Sequence, residues 1–165
     1  MIHMEKLSNG HFYSGHYLNS EKSIDSCLKE IDFKDSYMVL HDESADECPY
    51  YDAHDFLQGS CDLFARALHE RFGYEVYEIR RNGSTTHHWY GKSSYQGLPI
   101  YIDVRGATTD FDTFLLGLVY SMGDDYSITR QDLDAQDVHV DWFDTGMKFA
   151  HAIISEHSER YGPNL

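Results

Sequence analysis

The segment from 59 to 73, GSCDLFARALHERFG, constrains the fold more than any other part of the chain. Ser60 is a favourable N-cap residue, and Asp62 places a negative charge in the first turn, where acidic residues are enriched. Gly73 is the residue type that commonly ends a helix in the left-handed conformation. The segment therefore predicts one helix with Cys61 in its first turn.

Cys61 lies at the N-terminal end of the apolar face of this helix, because Phe64, Leu68 and Phe72 follow it at helical spacing. One interpretation is functional: the first-turn amides and the helix dipole favour a thiolate, the form of cysteine that acts as a nucleophile. The other is that Cys61 is a small buried hydrophobic residue, as free cysteines usually are. Asp62 opposes thiolate formation, because it puts a negative charge beside the sulfur.

The length and charge of the chain limit the classes of protein it can belong to. Its 165 residues contain no long linker, so we expect a single domain spanning 1–165. Asp and Glu number 28 against 13 Lys and Arg, a formal net charge of −15. Direct binding to nucleic acid is disfavoured, because that binding depends on basic residues that neutralise phosphates. An acidic surface could instead mimic nucleic acid or bind a basic partner, and most often it keeps a protein soluble.

The cysteines and the N-terminus bear on location. Cys27, Cys48 and Cys61 are an odd number without a CxxC pair, so a disulfide framework is not expected and a reducing cytoplasm fits better. The first residues have no apolar core of signal-peptide length, and no apolar run is as long as a membrane span. We expect a cytoplasmic protein without a signal peptide, with no membrane partner and no cofactor.

Before the central helix, one further helix and one strand are predicted. Apolar residues at helical spacing predict a helix capped by Ser20 or Ser23: Ile24, Cys27, Leu28 and Ile31. Residues 36–41 predict a short strand. Residues 42–55 predict an acidic loop, whose spacing does not match a calcium-binding loop.

After the central helix, alternating apolar residues predict four strands: 74–79, 85–90, 99–104 and 138–142. The second and third should form an antiparallel hairpin around a loop over 91–98. Helical spacing predicts a helix capped by Thr109 or Asp110, and a final helix with these residues on one face: Met147, Ala150, Ile154 and His157. Residues 124–137 predict an acidic loop with at most one short helical turn.

The predicted hairpin carries two further side chains that could act with the cysteine, a histidine and an aspartate. His87 and His88 lie on its first strand and Asp103 on its second, and adjacent antiparallel strands hold such side chains close together. In a nucleophilic site of this kind the imidazole takes the thiol proton, the carboxylate orients the imidazole, and backbone amides at the helix start stabilise an oxyanion. Because neighbouring strand residues point to opposite faces, only one of the two histidines can share a face with Asp103.

These motifs resemble the Cys-His-Asp core of the papain-like and transglutaminase-like superfamily, and in particular small phage and bacterial proteins with a GxC, HxW and DxRG arrangement. The matching residues lie within 56–106: Gly59-Ser60-Cys61, His87-His88-Trp89 and Tyr101-Ile102-Asp103-Val104-Arg105-Gly106. The resemblance implies an α+β, papain-like fold, in which the cysteine helix packs on a small antiparallel sheet, and a bacterial cell or a phage-infected host as the location.

The same resemblance assigns roles to individual residues. Cys61 would be the nucleophile, a histidine of the 87/88 pair the base, and Asp103 the residue that orients it. His87 is favoured over His88, because it fits the His-any-Trp spelling of the motif. Gln58, three residues before the cysteine, could polarise a carbonyl, and Trp89 is expected to pack or to line the cleft. Arg105 and Gly106 are expected to end the second hairpin strand.

Three functions follow from these observations. The first is a cysteine hydrolase or acyl transferase that acts on an amide of a protein or a small molecule: a peptidase, a deamidase or a transglutaminase-like enzyme. Both hydrolysis and transfer fit the pattern. The second is a catalytically inactive acidic binding or inhibitor protein of the nucleic-acid-mimic type. The third is a metal site formed by Cys61, His54 and the His87/His88 pair.

Overall fold

The structure is a computed structural model, and it describes residues 4–18, 23–31, 52–118, 122–133 and 143–162. Its strands are β1 (Glu5–Lys6), β2 (Phe12–Tyr13), β3 (Glu75–Arg81), β4 (His87–Tyr95), β5 (Leu98–Asp103), β6 (Gly106–Thr108) and β7 (Tyr126–Gln131). Its α-helices are α1 (Ile24–Lys29), α2 (Cys61–Phe72), α3 (Phe111–Leu116), α4 (Phe143–Glu156) and α5 (Ser158–Tyr161). Two short 3-10 helices cover Gly15–Leu18 and Ala53–Phe56. Within these residues no helix has the length and apolar character needed to cross a membrane.

The seven strands form one antiparallel sheet in the order β1-β2-β6-β5-β4-β3-β7. The mixture of helices with one antiparallel sheet agrees with the predicted α+β class. The strands predicted over 36–41 and 138–142, and most of the acidic loop over 42–55, lie outside the described residues.

Helix α2 is confirmed with the predicted end points. It begins at Cys61 and ends at Phe72, and Gly73 takes the left-handed conformation (φ 74°) while its N–H donates to the carbonyl of His69 at 2.8 Å. Ser60 is at the N-cap position, although its side chain makes no capping hydrogen bond. The apolar face of the helix is buried in the core: Leu63, Phe64, Ala67 and Leu68.

Helix α1 is likewise confirmed, and Ser23 caps it. The Ser23 side chain accepts a hydrogen bond from the N–H of Ser26 at 3.2 Å. Cys27 is 2% exposed and belongs to the core, as its helical spacing predicts. Together with Cys61 it is a free thiol.

The β4–β5 hairpin is longer than predicted, and the loop predicted over 91–98 is wrong. Strand β4 continues to Tyr95 and pairs with Leu98, so the connection is the two-residue turn Gln96-Gly97. Both turn residues have positive φ, 51° and 79°, as a type I′ hairpin turn requires. This part of β4 is polar, so it lacks the apolar alternation by which a strand is predicted. A strand can be polar there because one side of a hairpin can face solvent and needs no apolar residues.

The acidic loop predicted over 124–137 is also wrong in part, because β7 occupies Tyr126–Gln131. This strand pairs with β3 at the edge of the sheet, and most of its residues are exposed. Charged residues flank the strand, with Asp125 before it and Asp132 after it. An exposed edge strand buries little apolar surface, so the sequence carries little of the alternation that marks a strand.

Helices cover both faces of the sheet around β4. On one face, a Cβ on Gly91 would touch Leu68 of α2, so strand and helix approach closely there. On the other face, the ring of Phe114 in α3 lies 4.9 Å from the ring of Tyr90 and 5.6 Å from that of Tyr101. The first residues of β4 therefore lie between the start of α2 and the segment around α3.

Candidate active site

A buried ion pair stands where β5 ends. Asp103 is 2% exposed and Arg105 is not exposed at all. The Arg105 guanidinium donates to the Asp103 carboxylate from Nη2 at 2.7 Å and from Nε at 3.0 and 3.1 Å, and the Arg105 backbone N–H donates to it at 2.9 Å. Burial acts to raise the pKa of Asp103, but the charge of Arg105 and the hydrogen bond from His88 hold it well below its usual range. The carboxylate is therefore ionised.

His88 is the histidine that pairs with this carboxylate. Its Nε2 lies 2.9 Å from Oδ2 of Asp103, and the residue is 2% exposed. Burial lowers the pKa of His88 below the usual value, and the hydrogen bond to Asp103 opposes that shift only in part. Arg105 already balances the carboxylate charge, so the imidazole is neutral. An ionised carboxylate can only accept, so Nε2 carries the proton and Nδ1 carries the free lone pair of a base.

The preference for His87 over His88 is wrong on this geometry. Residues 87 and 88 point to opposite faces of β4, and the register places His88 on the face of Asp103. His87 is exposed, and its Nδ1 lies 2.8 Å from the carbonyl of Thr85, an acceptor to which this nitrogen must donate. The motif spelling, His-any-Trp, therefore points to a residue that does not contact Asp103.

The thiol of Cys61 is buried beside β4. Its sulfur accepts a hydrogen bond from the backbone N–H of Trp89, the residue after His88, at 3.4 Å. The side chain is 4% exposed. Burial raises the pKa of Cys61 to about 12, and the negative charge of Asp62 adds to this, against the N–H groups of Trp89 and Asp62. The prediction that the helix start favours a thiolate in the free protein is therefore wrong.

Asp62 explains part of the raised pKa of Cys61. Burial raises the pKa of its carboxyl, but the Arg66 guanidinium and the first-turn N–H groups of Asp62 and Leu63 act to lower it. The positive end of the helix therefore acts on a neighbouring carboxylate as well as on the sulfur. A cysteine that shares a helix start with an acidic residue gains less from the dipole.

The Cys61 sulfur contacts the backbone of the residue that follows His88, and among the described residues no hydrogen bond joins it to the imidazole itself. Across the described part of the chain, the sulfur's hydrogen bonds come from backbone N–H groups rather than from either histidine. A cavity of about 50 Å³ is lined by His87 and His88 and by Gln58 and Gly59, which lie in the segment just before α2.

Gln58 and Trp89 occupy different positions around this cavity. Gln58 is exposed and lines it, which leaves its predicted role at a carbonyl a prediction. The Trp89 ring packs at the surface, where its Nε1–H donates to Glu78 at 2.8 Å and the Arg66 guanidinium lies 5.7 Å from the ring centre. Trp89 reaches the sulfur through its backbone N–H.

Sequence reasoning missed the role of Arg105. This residue holds Asp103 ionised, and its Nη2 also donates to the carbonyl of Phe114 in α3 at 3.0 Å. The Asp-any-Arg spacing was the available signal, because a carboxylate and a guanidinium two residues apart can pair after a strand ends. Gly106 follows with φ 130°, and its close approach to the carbonyl of Ser14 leaves no room for a Cβ.

The metal alternative has no support in the described residues, which bring no three His, Cys, Asp or Glu side chains together in a way that could hold an ion. Comparisons of the chain with protein-family models, with curated proteins and with solved structures found no match. The geometry of the cysteine, the histidine and the carboxylate is therefore the basis for a functional conclusion.

Proposed function

We propose that the protein is a cysteine-nucleophile hydrolase or acyl transferase of the papain-like type, acting on an amide. The observation that carries this proposal is the buried His88–Asp103 pair, which supports an unprotonated Nδ1 next to the backbone segment that contacts the Cys61 sulfur. A buried imidazole oriented by an ionised carboxylate is the arrangement that a general base requires.

The reaction begins from a neutral thiol, because burial holds the pKa of Cys61 far above neutral pH. As the sulfur attacks the acyl carbon, Nδ1 of His88 takes the thiol proton, and the imidazolium then gives that proton to the leaving amine. The products of this half-reaction are a Cys61 thioester and a free amine. Water or a second amine attacks the thioester next, His88 again takes a proton, and the thiol is restored.

Arg105 and Asp103 serve this cycle through charge. The imidazolium that forms after the first proton transfer is stabilised by the carboxylate, which stays ionised because Arg105 neutralises it. Asp103 thus orients the imidazole and does not itself take the proton. Substitution of Asp103 should release the tautomer of His88 and remove the charge that stabilises its imidazolium.

Acylation of Cys61 by p-nitrophenyl acetate tests the proposal. Intact mass should show one acetyl group on the wild-type protein, and it should be absent from Cys61→Ala and present on Cys27→Ala. We expect His88→Ala to slow acylation about 100-fold and His87→Ala to change it little, since general-base catalysis contributes about that much. Equal rates for the two histidine variants would contradict the proposal.

A second candidate, an acidic binding protein without catalysis, is favoured by the net charge of −15 and by the buried, protonated thiol. Such a protein should bind a basic partner through long-range charge, so its complex should weaken as salt rises. Its binding should not change in Cys61→Ala. If acylation fails on every variant while a salt-sensitive basic partner is captured by wild-type and Cys61→Ala protein alike, this candidate replaces the first.

A further inference from the structure

A second cavity adjoins the one beside His88. It has a volume of about 450 Å³ and is lined by residues of α3, by Leu118 and by residues 122–124. Leu118 and Met122 line both cavities, so the two are continuous along the surface. The combined depression runs from the two histidines of β4 to the acidic start of the segment before β7.

Apolar and acidic side chains together line the larger cavity. Its apolar residues are Leu115, Leu116, Leu118 and Met122. Leu116 is 85% exposed, the highest value among the large hydrophobic side chains of the described residues, whereas Leu7 and Ile128 are 45% and 44% exposed. Its acidic residues, Asp112 and Asp124, are exposed. Such a surface suits a ligand with an apolar group beside a positive charge.

Hydrogen bonds anchor described residues at two ends of this groove, Phe114 in α3 and Asp125 beside Asp124. The guanidinium of Arg105 binds the carbonyl of Phe114, which fixes α3 relative to the carboxylate of Asp103. On the other side, Asn82 donates to the backbone carbonyl of Asp125 at 3.0 Å and to its carboxylate at 2.7 Å. Residues anchored in this way lose little entropy when a ligand binds.

We propose that this groove binds a peptide segment with a large apolar side chain next to Lys or Arg, the apolar group on Leu116 and the cation at Asp112 and Asp124. The net charge of −15 favours the approach of a positively charged chain. A peptide that extends from this groove into the small cavity would place a carbonyl beside His88 and Gly59, two residues before Cys61. This substrate role rests on the proposed function; peptide binding itself does not.

Binding is measured on the Cys61→Ala protein with a fluorescein-labelled peptide whose central Leu is flanked by two Lys. We expect Leu116→Ser to weaken binding about tenfold, the order of effect of losing one apolar contact in a pocket. Ile128→Ser is the matched control, because Ile128 is a similarly exposed apolar residue on β7. Peptides with Ser in place of Leu, or with Glu in place of Lys, should also bind more weakly.

Raising salt from about 0.05 M to about 0.5 M should weaken the Lys-containing peptide, and Asp112→Asn combined with Asp124→Asn should remove most of that salt effect. No binding of the Leu-Lys peptide, or equal losses in Leu116→Ser and Ile128→Ser, overturns the proposal.

The proposed function is tested separately on the protein that retains Cys61. Two substrates are compared: p-nitrophenyl acetate and the p-nitrophenyl ester of the same Leu-Lys peptide. Faster acylation by the peptide ester than by the acetate, lost in Leu116→Ser, supports both proposals. Acylation by the acetate without preference for the peptide ester overturns the substrate role of the groove, while the direct binding measurement decides whether the groove binds the peptide. If neither ester acylates Cys61 while the peptide still binds at Leu116, the groove stands as a peptide site and the proposed function is wrong.

Discussion

At the scale of single residues, Arg105 is the centre of the site. Its guanidinium is buried between the rings of Tyr17 and Phe114, 5.2 and 5.0 Å from their centres, and donates to Asp103 and to the Phe114 carbonyl. One side chain thus sets the charge state of the carboxylate and the position of α3. Because the ion pair is out of water, each partner depends on the other.

Arg105→Gln should destabilise the protein strongly. Removing one partner leaves an uncompensated buried carboxylate at Asp103, which costs about 3–5 kcal/mol in comparable sites. Urea denaturation measures the free energy of unfolding. Arg80→Gln is the matched control, because Arg80 pairs with Glu78 at the surface and should change stability little. Similar decreases in the free energy of unfolding in the two variants would show that the buried ion pair stabilises the protein no more than the exposed one.

His88 should make the protein sensitive to mild acid. Burial lowers its pKa, so between that value and about 6.5 the unfolded state binds a proton that the folded state does not. The contribution of His88 to the free energy of unfolding is therefore fully present above about pH 6.5. It is lost as the pH falls, by at most about 1.4 kcal/mol per pH unit for one group. His16 and His157, with pKa values also lowered by burial, act in the same direction.

Urea denaturation at several pH values measures this effect. We expect His88→Gln to flatten the loss of stability on the acid side, since Gln can donate to Asp103 but cannot take up a proton. His87→Gln is the matched control, because it removes an exposed histidine that does not pair with Asp103. An unchanged slope in His88→Gln would mean that His88 is not held neutral in the folded protein.

At the scale of the elements, local chemistry explains which predictions held. The bounds of α2 follow from its capping residues and its apolar spacing, which are local properties of the sequence. The register of β4 against β5 depends on where the turn lies, and that choice decides whether His87 or His88 meets Asp103. The histidine that pairs with Asp103 therefore could not be predicted without the turn at Gln96.

Gln96→Asn should stabilise the hairpin that sets this register. Gln96 has a φ of 51°, a conformation that Asn adopts more readily than Gln, and Asn-Gly is the favoured pair for this turn. We expect a gain of about 0.5 kcal/mol in the free energy of unfolding. Gly97→Ala should act in the opposite direction, because its φ is 79°. A loss of stability in Gln96→Asn would contradict the turn assignment.

At the scale of the whole molecule, the sheet and the helices bring together residues from distant parts of the sequence. Cys61 begins α2, His88 lies near the start of β4 and Asp103 ends β5, so three different element ends meet in one place. The sequence order and the motif spelling were enough to predict Cys61 and Asp103 as candidates. Burial of Cys61 was one of two interpretations of its position on the helix, and the sequence could not decide between them, because burial depends on packing from the whole chain.

The pH dependence of Cys61 acylation by p-nitrophenyl acetate tests the central claim most directly. If His88 acts as general base on a neutral thiol, the rate should level off once the imidazole is unprotonated, and it should be nearly constant between about pH 7 and about pH 9. In His88→Ala the rate should be lower and should keep rising with pH, since only the thiolate then reacts. A wild-type rate that rises about tenfold per pH unit toward the thiol pKa of about 12 would contradict the account.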